Sequence, residues 1–240
     1  PGLPGETEFY CGQALMRGGP VLDVGCGTGR IAIPMAMSKL KVTGIDNSGP
    51  MLAVCREKAE RVGVKETALS LVQDDMRNLH LNDTFPLVIM AYRTFMHCLS
   101  IEEQLDCLRC MYTHLIPGGE FFCNLWAAQP AQISQFKTKP DFKAPAPVDT
   151  VPIPQEDIVL AHFVTLWRDD SRQLLHEHHW VREQDTEGDI LHEEELSMTR
   201  AWITPREMEH LVARAGFEVM AVLGDFDGSL WNTHHTEMIW

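Results

Sequence analysis

The chain has 240 residues, of which 45% are hydrophobic and 22% are charged, and its formal net charge is −14. This length fits one α/β domain with a subdomain, and the hydrophobic content excludes a largely disordered chain. Clustered Lys and Arg are missing, which excludes a typical nucleic-acid partner, and no apolar run approaches the roughly 18 residues of a membrane span.

The cysteines and the first residues bear on the cellular compartment. Seven scattered cysteines, an odd number without a disulfide framework, indicate a reducing compartment, and we expect a cytoplasmic protein. The opening residues PGLPGETEF show no signal-peptide pattern and resemble a trimmed N-terminus.

Helices and strands alternate in the first half of the chain. The predicted strands are 21–25, 41–46, 68–75, 85–92 and 120–126, and the predicted helices are 6–17, 28–39, 47–63 and 100–116. Helix caps are predicted at Asn47 or Ser48 and at Ser100. This alternation predicts right-handed βαβ units and a parallel sheet with helices on both faces.

The pattern changes after Trp126. Three strand-like runs at 158–169, 172–183 and 189–202 predict an antiparallel meander. A helix at 204–216 and strands at 217–224 and 235–240 then complete the main domain. We therefore predict an α/β fold with a Rossmann-like, seven-stranded, mostly parallel sheet in residues 1–126 and 203–240. Residues 127–202 are predicted to form an inserted antiparallel β subdomain, or lid.

A glycine-rich turn follows the first strand, in the segment VLDVGCGTGR. Its glycines are Gly25, Gly27 and Gly29, so the third comes one residue earlier than in the GxGxxG turn that binds a dinucleotide pyrophosphate. Asp46 ends the second strand, where a carboxylate can accept hydrogen bonds from ribose hydroxyls. Gln73-Asp74-Asp75-Met76 ends the third strand at the same rim of the sheet. The alternative is a sharp strand-to-helix turn that needs glycine only for its positive φ.

Taken in order, DVGCGTG, the acid in VTGID, QDDM and LIPGGEFF resemble the motifs of class I S-adenosylmethionine-dependent methyltransferases. The inserted meander is similar, more loosely, to the lid of nucleotide-sugar N,N-dimethyltransferases. The resemblance implies S-adenosylmethionine as the methyl donor, with S-adenosylhomocysteine as its product. The implied cofactor-binding residues are Gly25, Cys26, Gly27, Gly29, Asp46, Asn47, Met51, Asp75, Met76 and Ala91.

Candidates for the chemistry lie where the fourth strand ends, in AYRTFMHCL. Tyr92 is one candidate, and His97 is either a general base or a histidine that only bonds the loop. Arg93 either clamps an anionic substrate or forms a structural ion pair. Methyl transfer itself needs an aligned nucleophile and exclusion of water.

Further candidates surround this rim. Tyr10, Trp126, Asp225 and Asp227 are predicted to contact substrate, although Trp126 could merely pack and Asp227-Gly228 is an ordinary turn signal. The lid has twelve Asp or Glu against four Lys or Arg between 155 and 200, which is either a solvated face or a field that favours a cationic amine. HEHHW at 176–180 lacks a clear third metal ligand, so we predict no metal site. Cys107 and Cys110 form a CxxC inside a helical pattern, where buried side chains are the simpler interpretation.

The sequence is compatible with three functions. The first is methyl transfer to a nitrogen, oxygen or sulfur of a small molecule, with no nucleic-acid or membrane partner, by a monomer or by a homodimer that pairs through the lid. The second is a nicotinamide-dependent oxidoreductase, which the early third glycine and QDDM disfavour. The third is a module that binds S-adenosylmethionine without catalysis.

Overall fold

The computed structural model describes residues 2–139, 146–153 and 157–240. The chain divides into two compact units, Pro1–Ala127 with Ile203–Trp240, and Ala128–Trp202. We call the first the sheet domain and the second the inserted subdomain. None of the helices described is both long enough and apolar enough to cross a membrane.

Helices and strands both contribute to the described part of the chain. The helices are α1 (Glu6–Arg17), α2 (Ala32–Met37), α3 (Gly49–Arg61), α4 (Ile101–Thr113), α5 (Pro130–Ile133) and α6 (Pro205–Arg214), with a 3-10 helix at Thr94–His97. The strands are β1 (Val21–Val24), β2 (Val42–Asp46), β3 (Leu69–Gln73), β4 (Phe85–Met90), β5 (Leu115–Trp126), β6 (Asp149–Ile153), β7 (Ile158–Asp169), β8 (Leu174–Asp185), β9 (Ile190–Ala201) and β10 (Glu237–Ile239).

The sheet domain has a six-stranded sheet in the order β10-β5-β4-β1-β2-β3. Strands β1 to β5 are parallel and β10 runs antiparallel to β5, which confirms the mostly parallel sheet. Val24 pairs with Ile45, and Asp46 pairs with Gln73. The carboxyl ends of β1, β2 and β3 therefore lie side by side at one edge, the edge at which open α/β sheets bind ligands.

The strand predicted at 217–224 is wrong, so the sheet has six strands rather than the predicted seven, whereas the strand predicted at 235–240 is present as β10. Residues 217–224 form no strand, and only Leu223 makes isolated bridges, to Leu230 and to Ile239. Met220 is 82% exposed and Val219 is 42% exposed. Apolar, β-branched composition suggested a strand here, but the segment lacks the continuous partner that a ladder requires.

Side chains alternate between the two faces of the sheet. Val21, Leu87 and Ile89 join one buried cluster with residues of α1, α2 and α3, while the intervening Leu22 and Val88 are buried on the opposite face. The helices that surround the sheet begin at side-chain caps. Hydroxyls accept the backbone N–H three residues ahead in each case, from Met51 to Ser48, from Glu103 to Ser100 and from Glu207 to Thr204.

The inserted subdomain is an antiparallel sheet in the order β6-β7-β8-β9. The predicted meander corresponds to β7, β8 and β9, whereas β6 was not predicted. Pro152 lies within β6 and pairs with Val159. Proline cannot donate to a ladder and is tolerated on an edge strand, so its presence disguised the strand in the sequence.

Candidate functional site

The glycine turn is held against the end of β2. The N–H groups of Gly25 and Cys26 both donate to the carbonyl oxygen of Ile45, at 2.7 and 2.9 Å. All three glycines have positive φ, +72° at Gly25, +54° at Gly27 and +81° at Gly29. An L side chain is disfavoured in this region, so the turn requires glycine for its backbone alone.

The three glycines face different surroundings. A Cβ on Gly25 would lie 2.4 Å from Cγ2 of Thr94, and one on Gly29 would lie 2.4 Å from Sγ of Cys55. At Gly27 the nearest atoms would be Sδ of Met51 at 3.8 Å and Oδ2 of Asp46 at 4.0 Å. Gly25 and Gly29 are therefore needed for packing as well, whereas Gly27 borders open space beside Asp46.

Asp46 folds its carboxylate back over this turn. Oδ2 accepts the N–H of Gly27 at 2.8 Å, and Oδ1 accepts the N–H of Ser48 at 2.9 Å. A carboxylate has about four acceptor positions, so each oxygen keeps capacity for a further donor. The strand order thus brings a fixed, acceptor-only group to the open side of Gly27.

Two further predicted residues follow Asp46 along the rim. Asn47 is exposed, and its carbonyl oxygen accepts Nε2 of Gln73 at 3.0 Å, which ties the end of β2 to the end of β3. Met51, in the first turn of α3, is 49% exposed. An apolar side chain exposed next to Gly27 provides a surface against which a ring can pack.

Asp75 is engaged by a neighbouring guanidinium. Its Oδ1 accepts Nε of Arg77 at 2.9 Å, its Oδ2 accepts Nη2 of Arg77, and Arg77 also pairs with Glu103. This hydrogen bonding lowers the pKa of the Asp75 carboxyl. Asp75 is therefore kept ionised, as an acceptor, with the half-buried Met76 beside it.

The chain turns sharply where β4 ends. Ala91 is buried, and the next two residues, Tyr92 and Arg93, have left-handed backbones with φ of +53° and +65°. The guanidinium of Arg93 is held by Glu237 on β10, with Nε 3.1 Å from Oε1. Of the two interpretations of Arg93, the structure shows the ion pair.

Tyr10 lies in the core rather than on the rim. Its side chain is completely buried, and its hydroxyl donates to Oδ1 of Asn124 at 3.4 Å. Burial raises the pKa of Tyr10 well above its ordinary value. Tyr10 was predicted to contact substrate at the rim, whereas α1 packs its side chain inward in this structure.

The remaining predicted residues occupy exposed or partly exposed positions. His97 ends the 3-10 helix and is exposed, and Trp126 ends β5 and is partly buried. Asp225 and Asp227 bond to nearby backbone, with Oδ1 atoms that accept the N–H of Phe226 at 2.7 Å and of Ser229 at 2.8 Å. These two acids shape the turn before Gly228, as the Asp-Gly signal indicates.

Sequence reasoning missed a set of polar residues near the β4 turn, all of which are buried except the partly buried Arg30. They come from α1, β1, the glycine turn, β5 and β10, and are Glu6, Asp23, Arg30, Asn124 and Glu237. Only Asp23 carried a local signal, because a carboxylate in the middle of the apolar strand VLDVG is rarely left buried without a reason.

The histidines of HEHHW bond to neighbours on the inserted sheet. His179 Nδ1 lies 2.9 Å from His162 Nε2, and His176 and His178 bond hydroxyls of Thr199 and Ser197. Among the residues that the structure describes, no group of three potential ligands is placed to hold a metal ion. Cross-strand hydrogen bonding accounts for these side chains.

Residues 21–119 match a family model described as a methyltransferase domain. This range contains the glycine turn, Asp46, Asp75 and the end of β4. Among curated proteins, the cypemycin N-terminal methyltransferase of Streptomyces sp. is 28% identical over 98% of this chain and 87% of its own length. The phosphatidylethanolamine N-methyltransferase of Cereibacter sphaeroides is 46% identical, over 32% of this chain and 37% of its own length.

Solved structures show the same similarity over the whole chain. The CcbJ methyltransferase of Streptomyces caelestis superposes with a TM-score of 0.78 at 26% identity, over 99% of this chain and 94% of its own. The sugar N-methyltransferase KedS8 of Streptoalloteichus sp. ATCC 53650 gives a TM-score of 0.73 at 19% identity, over 98% and 86%, a likeness of fold.

Proposed function

Because the chain belongs to the class I S-adenosylmethionine-dependent methyltransferases, we propose that it methylates an amine nitrogen of a small molecule. Its cofactor, S-adenosylmethionine, supplies a methyl group on a positively charged sulfur and is released as S-adenosylhomocysteine. Membership of this family argues against the other two functions considered, a nicotinamide-dependent oxidoreductase and a module that binds S-adenosylmethionine without catalysis.

The rim around Gly27 and Asp46 fits this cofactor. Asp46 would accept the ribose hydroxyls through the acceptor capacity left on its two oxygens. The open side of Gly27 leaves room that a side chain would fill, and the exposed Met51 and Asn47 would line the adenosine. Asp75, kept ionised by Arg77, would accept the adenine amino group, with Met76 against the ring.

The methionine part would lie along the glycine turn, between the backbone of Gly25 and Cys26 and the buried Ala91. Gly29 would support this arrangement by letting α2 and α3 approach, since a Cβ there would meet Cys55 and Ile33. In this assignment Gly29 shapes the turn rather than contacting the cofactor.

The pairing of Arg93 with Glu237 is the observation that favours an amine acceptor. Arg93 is the one Arg or Lys in AYRTFMH, and Glu237 occupies its guanidinium. An anionic acceptor therefore has no ready partner on this segment, while the carboxylate of Asp46 adds negative charge near the same edge. Such a field favours a cationic substrate, such as a protonated amine. One relative is named as an N-terminal methyltransferase and another as an N-methyltransferase, which agrees with this choice.

A protonated amine has no lone pair, so it must lose a proton before its nitrogen attacks the methyl group and the bond from carbon to sulfur breaks. His97, exposed at the end of the 3-10 helix, would accept this proton, because an imidazole titrates near neutral pH. Tyr92, 53% exposed, would orient the acceptor, and Trp126 would contribute an apolar wall. Asp225 and Asp227 are left out of the proposed contacts, since they bond the backbone of their own turn.

The test is an acceptor panel in matched pairs. Each pair has an amine and the corresponding alcohol on the same small molecule, with one short peptide that has a free N-terminus. Formation of S-adenosylhomocysteine and the mass of the methylated product are measured. We expect turnover of amines only, and turnover of the alcohols alone would contradict the proposal.

Two variants separate the cofactor site from the chemistry. Asp46→Ala is expected to weaken S-adenosylmethionine binding by at least about tenfold in calorimetry, because a charge-assisted hydrogen bond contributes about 1.5–3 kcal/mol. Asp83→Ala, at an exposed carboxylate after β3, is the matched control. His97→Ala is expected to lower kcat while leaving cofactor affinity unchanged, and an unchanged kcat would remove His97 as the base.

A further inference from the structure

Tyr92 and Arg93 are two consecutive non-glycine residues with left-handed backbones, at the point where β4 reaches the binding edge. Among the described residues, the other non-glycine positions with positive φ are isolated, at Lys39, Asp157 and Gln173. Bulky side chains in this region are strained by about 1–2 kcal/mol each, so surrounding contacts must hold the turn. Strain kept at a ligand-binding edge points to a function.

The contacts that hold this turn are buried side chains from distant parts of the sequence. The N–H of Tyr92 donates to Oε1 of Glu6 at 2.9 Å, and the N–H of Arg93 donates to Oδ1 of Asn124 at 3.3 Å. Glu6 and Asn124 are both completely buried. Asn124 in turn donates from Nδ2 to Oε2 of Glu237 at 3.0 Å, and Glu237 holds the guanidinium of Arg93.

Glu6 also acts on the Tyr92 ring, through Arg30. Nη1 of Arg30 lies 2.7 Å from Oε2 of Glu6, and the guanidinium carbon lies 5.0 Å from the centre of the Tyr92 ring. A guanidinium at this distance is attracted to the face of the ring. One buried carboxylate therefore fixes the backbone of Tyr92 directly and its side chain indirectly.

Tyr92 itself is 53% exposed, although Glu6 and Asn124, which hold its turn, are completely buried. An exposed aromatic side chain ordinarily samples several rotamers, and it loses that freedom when it binds a ligand. A ring already held in one position by Arg30 and Glu6 has less freedom to lose. Binding of a ligand to Tyr92 would therefore cost less side-chain entropy than binding to a freely rotating aromatic ring.

We infer that Glu6 is a positioning residue of the acceptor site, which presents Tyr92 to the methyl acceptor by holding its left-handed backbone and, with Arg30, its ring. The inference depends on the proposed function, since it names the residues that support that acceptor site. Glu6 contacts no reacting atom in this scheme and acts through Tyr92.

The first experiment measures the position of Tyr92 without any turnover. The chain has three tyrosines, so a protein labelled with 3-fluorotyrosine gives three fluorine resonances, of which Tyr92→Phe identifies one. Glu6→Ala is expected to shift or broaden the Tyr92 resonance. Glu8→Ala, at an exposed glutamate in the same first turn of α1, is expected to leave it unchanged, and the Tyr112 resonance on α4 serves as an internal reference.

The second experiment measures kinetics with the best amine from the acceptor panel. Glu6→Ala is expected to raise the KM for the acceptor by about tenfold, the factor that corresponds to one hydrogen bond of about 1.4 kcal/mol. The dissociation constant for S-adenosylmethionine is expected to stay within about twofold. Glu6→Gln keeps an oxygen for the Tyr92 N–H and loses the charge that pairs with Arg30, so it should lie between parent and Glu6→Ala in both experiments.

The outcomes separate this inference from the proposed function. If no amine is methylated but the Tyr92 resonance moves in Glu6→Ala and not in Glu8→Ala, the proposed function fails while the positioning contact stands. If the resonance is unchanged in both Glu6→Ala and Glu6→Gln, the inference is overturned. It is also overturned if cofactor affinity falls as much as acceptor KM rises, since the network would then serve the cofactor. Should Glu6→Ala fail to fold, Glu6→Gln carries both measurements.

Discussion

Asp23 should make the sheet domain lose stability as the pH rises from mildly acidic to neutral. It lies in the middle of β1 with 2% of its surface exposed, and its Oδ2 has no hydrogen-bond partner among the described residues. Burial raises the pKa of this carboxyl to about 7, against the opposing effect of Arg30, and Glu6 and Asp46 raise it further.

The sign follows from comparing the folded and unfolded chains. Between about pH 4 and pH 7 the unfolded chain has released the Asp23 proton while the folded chain still holds it, so unfolding releases a proton and becomes easier as pH rises. Each pH unit costs about 1.4 kcal/mol of stability well below the folded pKa, and the slope falls as pH 7 is approached, so the loss is about 2 kcal/mol between pH 5 and pH 7.

Asp23→Asn removes this titration while preserving the size of the side chain. Urea unfolding at pH 5, 6 and 7 gives the free energy of unfolding for parent and variant, and the quantity of interest is the difference between them at each pH. We expect this difference to move in favour of the variant by about 2 kcal/mol across the range, whatever its value at pH 5. Asp83→Asn, at an exposed site, is the control for the substitution. Parallel pH profiles for parent and Asp23→Asn would refute the reasoning.

Two other predictions concern packing and the thiols. Gly29→Ala and Gly63→Ala both place a side chain at a left-handed residue, with φ of +81° and +78°. Only at Gly29 would the new Cβ meet other side chains, those of Cys55 and Ile33. Gly29→Ala should therefore be less stable than Gly63→Ala by at least about 1 kcal/mol in thermal unfolding. Equal stabilities would show that the α2–α3 contact tolerates the methyl group. Five of the seven cysteines are buried, and burial raises the pKa of Cys55 to about 11. A thiol reagent at pH 8 should therefore modify at most two thiols quickly, those of the partly exposed Cys11 and Cys110. All seven should react in urea, and a third fast thiol in the folded protein would contradict the structure.

The features that were predicted best from the sequence are those determined by residues close together in the chain, such as helix caps. Ser100 was recognisable as a helix cap, and Ser48 as one of two candidates, because a cap depends on residues within one turn. The position of Asp46 beside the glycine turn followed from strand order, since neighbouring parallel strands end at the same edge. The strand predicted at 217–224 failed because residue preference does not reveal whether a neighbouring strand is available to pair.

The site beneath the β4 turn could not be predicted for a related reason. The contact between Glu6 and Tyr92 spans 86 positions, and that between Arg93 and Glu237 spans 144. No local pattern distinguishes Glu6 from the exposed Glu8, which shares its helix turn. Only the packing of α1 against the sheet buries one carboxylate and exposes the other.

The placement of these charges explains how a chain with a net charge of −14 can bury carboxylates at a binding edge. Glu6 is paired with Arg30, which lies next to the glycine turn. Glu237 is paired with Arg93, which lies in the β4 turn itself. A buried ion pair contributes little net stability, but removal of one partner leaves an uncompensated charge and is costly. The pairs therefore act chiefly by fixing conformation, because the two turns cannot move apart without exposing a charge. On this view the buried acids link the glycine turn to the β4 turn, and loss of Glu6 should loosen Tyr92 more than it unfolds the domain.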